Sequence, residues 1–233
     1  MTSDHSRFDQ RRYPIVDVRE GYGEWVRTYE QTVLDEMDLR LLERLRGVDW
    51  AAASDVLDLA CGTGRIGAWL RARTQAGIDG VDLTPGMLER AEARGLYRSL
   101  RVADVRETAL PPAGFDIAMM SLADEHIPEL DGVYREAARV LRPGGTFVLV
   151  AFHPYFLMLG MPTHYERADG QAQTIRSYVH QVSDHFRAAT AHGFALTEFD
   201  EGLIDDAWLA KKPKWQRHEG TPISFVAAWR RAR

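Results

Sequence analysis

Val56-Leu57-Asp58-Leu59-Ala60-Cys61-Gly62-Thr63-Gly64-Arg65-Ile66-Gly67 is the stretch from which this chain is best read. Val56, Leu57 and Leu59 form a short apolar run, suited to a strand buried on both faces of a parallel sheet. Gly62 and Gly64 supply a turn where side chains would block the close approach of a ligand. From Ile66 the pattern is helical, with Ile66, Trp69 and Leu70 on one side. A strand, a glycine turn and a helix N-terminus together make a site for a polar, anionic or ribose-bearing ligand.

The glycines alone leave two readings. Gly62, Gly64 and Gly67 satisfy G-x-G-x-x-G, and Asp82 lies 20 residues after Gly62, which is also the dinucleotide fingerprint. Asp58, inside the strand four residues before Gly62, separates them, because the dinucleotide motif usually has only apolar residues there. The string D-L-A-C-G-T-G-R resembles the first motif of class I S-adenosylmethionine-dependent methyltransferases. V-D-L-T-P-G-M-L at 81–88 looks like their second motif. L-R-P-G-G-T-F-V-L-V at 141–150 is typical of the same family and uncommon in dinucleotide dehydrogenases.

That resemblance implies a doubly wound α/β fold: a seven-stranded, mostly parallel sheet whose last strand runs antiparallel beside strand five. It covers about residues 50 to 152 by motif and the rest by topology. It also implies S-adenosylmethionine as cofactor. Asp58, Ala60, Gly62 and Gly64 would lie around its methionine and ribose, and Asp82 with Leu83 around the ribose. Met87, Asp104 and Val105 would meet the adenine, and Ser121 and Leu122 the methionine or the transferred methyl. Methyltransferases similar to this one often begin with a Tyr-x-x-Trp/Ala-x-x-Tyr stretch over the cofactor. On that resemblance Tyr22, Trp25 and Tyr29 form part of a lid, with an ordinary amphipathic helix start as the other reading. Two further readings use the same residues: a nicotinamide-dependent oxidoreductase on the glycine loop, and a non-catalytic module that binds the methyl donor.

Composition sets bounds. At 233 residues and 45% hydrophobic, the chain suits one large domain, or a domain with a small appendage. A formal net charge of -5 argues against a nucleic-acid-binding surface, and the apolar runs are too short for a membrane span. The N-terminus lacks the charged-then-apolar order of a secretion signal, and the single cysteine, Cys61, excludes an internal disulfide. These point to the cytoplasm. Cys61 reads as a small residue filling a tight turn rather than as a nucleophile.

In order, residues 1 to 20 carry no clear period and read as a loose arm. Residues 31 to 46 read as a helix on Val33, Leu34, Met37, Leu41, Leu42 and Leu45. Residues 1–50 thus make an arm, lid and helix before a cofactor-binding domain at 51–233. Strands are expected at 55–60, 78–83, 100–102, 115–121, 146–152, 195–201 and 222–229. Helices are expected near 66–73, after the Thr84-Pro85 start, at 131–141 and at 182–192. Arg142-Pro143-Gly144-Gly145 should stop the third of these, and residues 205–220 read as loop. An aromatic, methionine and histidine mix at about 153–180 reads as an insertion over the active-site face, with His153, Tyr155, His164 and Tyr178 as substrate-pocket candidates. Its histidine spacings match no common zinc pattern, so no metal is expected.

Methyl transfer from a sulfonium needs alignment first, and a base only where the nucleophile must lose a proton. His126, His153, His164 and Asp124 are the candidate bases, and His126 leads because it follows strand four. Ser121-Leu122-Ala123-Asp124 replaces the Asn/Asp-Pro-Pro-Tyr/Phe of enzymes acting on amide or nucleobase nitrogens. A small-molecule acceptor is therefore expected; the acceptor atom and the oligomeric state are not legible.

Overall fold

The computed structural model describes residues 3–33 and 37–233. Seven strands form the central sheet: β1 (Asp55–Leu59), β2 (Gly77–Asp82), β3 (Ser99–Val102), β4 (Phe115–Ser121), β5 (Leu141–Phe152), β6 (Phe194–Leu203) and β7 (Pro222–Arg231). Their spatial order is β6-β7-β5-β4-β1-β2-β3. β7 is antiparallel to both β5 and β6, and the β1–β5 neighbours pair in parallel. This is the doubly wound sheet expected from the sequence, with β7 inserted beside β5.

The continuous apolar runs have a simple cause. Alternate residues of each strand feed opposite cores. Val56, Ile78, Ile117 and Val148 pack with Leu41, Leu42, Trp69 and Leu70 on one face. Leu57, Ala118, Leu149 and Phe225 pack with Val133, Tyr134 and Ala189 on the other. The helices Met37–Arg44 and Arg65–Arg71 therefore cover the first face, and Asp131–Val140 and Val182–Ala191 the second.

Several expectations need correction. Residues 3–20 are not a loose arm. Ser3–Asp4 pairs with Tyr178–Val179, and Ile15–Val16 runs parallel to Thr174–Ile175. The His5 ring also donates to the Leu157 carbonyl at 2.9 Å. Two-residue strands carry no readable period, and their partners lie far along the chain. The helix expected over 31–46 is instead Tyr29–Thr32 and Met37–Arg44; Leu34 lies outside the described residues. Residues 205–220 contain the helix Asp206–Lys211, capped by the Asp205 carboxylate on the Trp208 N–H, and a 3-10 turn at Pro213–His218. β5 begins at Leu141, so Arg142–Gly145 is a bulge in the strand, where pairing steps from Phe115↔Leu141 to Ile117↔Thr146.

The segment 153–180 holds the short helix Pro154–Met158 and the strands His164–Glu166 and Ala172–Ile175, which Ile15–Val16 extends to three. Arm and insertion are thus one cover. Trp25, Tyr165 and Ile175 are its buried centre, with Tyr22 and Tyr29 against them. Among the described residues no helix is long and apolar enough to cross a membrane.

Candidate functional site

At the carboxyl ends of β1 and β4 the chain leaves the sheet through strained or glycine backbone. Ala60 and Leu122, the residues just past β1 and β4, both take a left-handed conformation at φ 55 and 51. Such conformations cost roughly 1–3 kcal/mol and persist where packing enforces them. Here the flanking strands enforce them: Cys61 donates to the Val81 carbonyl and Leu122 to that of Val150. Both line a cavity of about 430 Å³.

Gly62, at φ 53, faces open space on the cavity side, so any side chain there would enter the ligand's path. Its N–H donates to Asp82 Oδ2 at 2.9 Å, and the Thr84 N–H donates to Asp82 Oδ1 at 2.8 Å. The Thr84 hydroxyl and the Leu83 N–H also act on this carboxylate. Burial raises the Asp82 carboxyl, opposed by these backbone N–H groups. Asp104 Oδ1 accepts the Arg106 backbone N–H at 2.8 Å and Oδ2 accepts the Arg106 guanidinium at 2.6 Å. That side chain holds the Asp104 carboxyl below its ordinary range.

The cavity brings together Ala60, Gly62, Asp82, Leu83, Met87, Asp104, Val105, Ser121, Leu122 and Tyr29 of the expected cofactor set. It also takes in His126 and Tyr178. The Ser121 hydroxyl is already committed to Asp38 Oδ2 at 2.8 Å.

Asp58 and Gly64 lie elsewhere. The Asp58 carboxylate accepts the Tyr97 hydroxyl at 2.7 Å beneath the loop, and burial pushes it up to about 7. Gly64 and Gly67 make room for neighbours rather than for a ligand. A Cβ on Gly64 would meet Arg94 and Tyr97 at 3.1 Å, and one on Gly67 would strike the Tyr97 ring. The motif therefore splits: Gly62 faces the cavity, while Asp58, Gly64 and Gly67 build its floor. Cys61 is buried and its thiol is pushed well up, as suits a turn filler.

Trp25 and three of the expected substrate residues also fall outside this cavity. Trp25 stacks between Tyr22 and Tyr165 and faces an open cleft of about 1160 Å³ on the far side of the cover. His164 lines that cleft too, its Nδ1 bonded to the Pro162 carbonyl at 3.0 Å, as do Lys212 and Lys214. His153 caps the helix Pro154–Met158 and lies 3.1 Å from Glu201, and Tyr155 is exposed. Around His153 and Tyr155 the insertion turns away from the cavity, with Phe156 and Leu157 packed into a cluster with Trp208 and Trp215. Asp124 is buried, 3.4 Å from His185.

The wall facing the glycine loop carries residues the sequence did not single out: Val18, Arg19, Ile127, Pro128 and Arg176. Tyr22, expected only as lid, donates to His126 Nε2 at 2.8 Å. No local signal marks this group, because its members come from three distant segments.

Residues 57–149 match the protein family described as a methyltransferase domain. Over 233 aligned positions, 83% of this chain and 81% of the relative, the chain is 30% identical to an uncharacterised methyltransferase of Emericella nidulans. This chain is a class I S-adenosylmethionine-dependent methyltransferase by family. The methyltransferase is also 34% identical to methyltransferase GfsG of Streptomyces halstedii over 55% of this chain and 49% of that one. It spans about half the length of the first curated relatives it matches. In fold it is similar to an S-adenosylmethionine-dependent methyltransferase from Mesorhizobium loti, with a TM-score of 0.69 at 23% identity, covering 85% of this chain and 99% of that one. Nothing in these matches favours the nicotinamide reading of the glycine loop or the non-catalytic one. S-adenosylmethionine is the family's cofactor, and the cavity suits it: a buried carboxylate lines it at the end of β2, and an open glycine just past β1.

Proposed function

We propose that this chain transfers a methyl group from S-adenosylmethionine to a small-molecule acceptor in the cavity above β1, β2 and β4. Asp82 carries the reading. It lies at the end of β2, is held by the Gly62 and Thr84 N–H groups with the Thr84 hydroxyl beside it, and lines the cavity, where a carboxylate suits two vicinal hydroxyls. Asp104 and the Val105 N–H stand one strand further out, for the adenine edge. Leu83 and Met87 supply apolar contact beside it, and Ala60, Gly62 and Leu122 present backbone where side chains would intrude. Tyr29 and Tyr22 close the cavity from the cover that residues 16–33 form with the strands at 164–166 and 172–175.

When bound, the cofactor supplies a methyl carbon already activated by a positive sulfur, so alignment is the main demand on the protein. Apolar Val18, Ile127 and Pro128 exclude water from the acceptor end. The enclosed shape and the net charge of -5 favour a small molecule over nucleic acid. One buried cysteine suits a reducing cytoplasm.

Calorimetric titration with S-adenosylhomocysteine, with NADH as control, tests the cofactor. Micromolar binding of the first and none of the second is expected. The reverse result would move the site to nicotinamide chemistry.

A further inference from the structure

We propose that the acceptor is a hydroxyl compound, and that its proton leaves through Tyr22 to His126. This rests on the methyl-transfer reading above and adds to it the acceptor atom and the path of its proton.

The hydrogen-bond directions are fixed by chemistry. The Arg176 carbonyl can only accept, and it lies 2.8 Å from His126 Nδ1, so Nδ1 carries the proton. Burial keeps the ring neutral, so Nε2 presents a lone pair, and at 2.8 Å it accepts the Tyr22 hydroxyl. The two rings meet edge to face, 5.3 Å between centroids. Both side chains line the cavity. Tyr22 Oη, having donated to the imidazole, keeps lone pairs for a donor from the acceptor side. An acceptor O–H placed there completes a chain from acceptor to Tyr22, from Tyr22 to His126, and from His126 to the Arg176 carbonyl, with every donor assigned.

A carboxylate or a tertiary amine loses no proton on methylation, a primary amine attacks through its own lone pair, and a thiol with an ordinary pKa of about 8.5 ionises readily, so none of them needs such a chain. A hydroxyl does. The acceptor oxygen forms its bond to the methyl carbon as the carbon–sulfur bond breaks, and that electron pair leaves on sulfur. The hydroxyl proton moves to Tyr22 Oη, and the Tyr22 proton moves to His126 Nε2. One positive charge is lost at sulfur and one appears on the imidazole, so the cavity's net charge does not change. This matters because burial lowers His126 to about 4, which keeps the ring neutral until the transfer. Glu125 Oε1 lies 3.5 Å from Nε2, and Glu125 Oε2 is buried without a hydrogen-bond partner among the described residues. Ser177 at 3.4 Å from Nδ1 and Asp124 complete the polar groups around the ring.

Nitrogen-15 spectra of histidine-labelled, S-adenosylhomocysteine-bound full chain read the arrangement without turnover. A neutral His126 protonated on Nδ1 at pH 7 is expected, with the Nε2 resonance moving in Tyr22→Phe. A cationic ring, the other tautomer, or an unmoved Nε2 overturns the proposal. Methyl transfer from radiolabelled S-adenosylmethionine is then measured on phenol, aniline, thiophenol and benzoate. Label on phenol alone is expected, with kcat reduced on the order of a hundredfold in Tyr22→Phe and His126→Asn and cofactor affinity retained. Label on one of the other three, wild-type kcat in Tyr22→Phe, or no labelled phenol while S-adenosylhomocysteine still binds overturns it. Failure of the wild-type chain to bind S-adenosylhomocysteine sinks the methyl-transfer reading instead.

Discussion

Along the ends of β1, β2 and β4 the cavity wall is set by neighbours in sequence: Asp82 reaches the Thr84 N–H two residues on and the Gly62 N–H 20 residues back. The opposite wall has no such locality. Tyr22 meets His126 across 104 positions, and His126 meets Arg176 across 50. The first wall is backbone held by a sheet, whereas the second is side chains held by a cover that packs on itself. The lesson is a division of labour. Rigid local geometry suits a fixed ligand, and a cover assembled from distant pieces is where substrate choice can vary without disturbing the sheet.

Four substitutions break or sharpen that contrast. Asp82→Ala removes a charge-assisted pair and frees two loop N–H groups. It should cost about 1.5–3 kcal/mol of S-adenosylhomocysteine binding, roughly tenfold to a hundredfold in Kd by calorimetry. Unchanged affinity would mean that the local wall does not hold the cofactor.

Gly67→Ala drives a methyl into the Tyr97 ring beneath the loop. Overpacking of this kind costs about 1–3 kcal/mol, read as a lowered melting temperature. The double variant with Tyr97→Ala should show strong non-additivity, and simple addition would show the contact to be slack.

Asp58 supplies a pH signature of the floor. Burial raises its folded-state carboxyl to about 7 from 3.8. Between those values the folded chain binds more protons than the unfolded one, so this group's contribution to stability is full below about pH 4 and declines as pH rises through 7. The slope reaches at most about 1.4 kcal/mol per pH unit. Melting curves of Asp58→Asn, which still offers an oxygen to Tyr97, should lack that decline. An identical pH profile would show the carboxylate to be solvated.

The smallest effect belongs to the tie between the cover and the cofactor domain. Glu30, half-exposed, pairs with Arg94, which also donates to the Thr63 carbonyl at 2.7 Å. Glu30→Gln should change stability by under about 1 kcal/mol. A larger loss would mean that the cover depends on this pair rather than on the Trp25–Tyr165 stack.

What was legible followed from locality. The strands β1, β2, β4 and β5 could be read because each buries a short run on both faces, and because glycine and proline mark their ends, whereas the exposed edge strand β3 was read from its place after the second motif. The expectations failed where pairing was remote. The first 20 residues looked loose because two-residue strands at 3–4 and 15–16 gain meaning only beside 174–179. His153, Tyr155 and His164 looked like pocket residues because they are aromatic or titratable, but residue type does not say which way an insertion turns. The glycine loop was read as one unit, whereas only Gly62 faces the cavity and Gly64 and Gly67 yield space to Tyr97.

Sequence alone determined the sheet, the glycine turn, the acid at the end of β2 and, through the resemblance those residues carry, the identity of the methyl donor. These depend on hydrophobic alternation and on backbone conformations that few residue types allow, and both act over a few positions. Only the tertiary structure decided that Asp58 lies beneath the loop, that arm and insertion close as one cover, and that Tyr22, His126 and Arg176 share one hydrogen-bond chain. Those contacts join segments far apart in the chain, where direction and distance are set by packing and no local pattern records them.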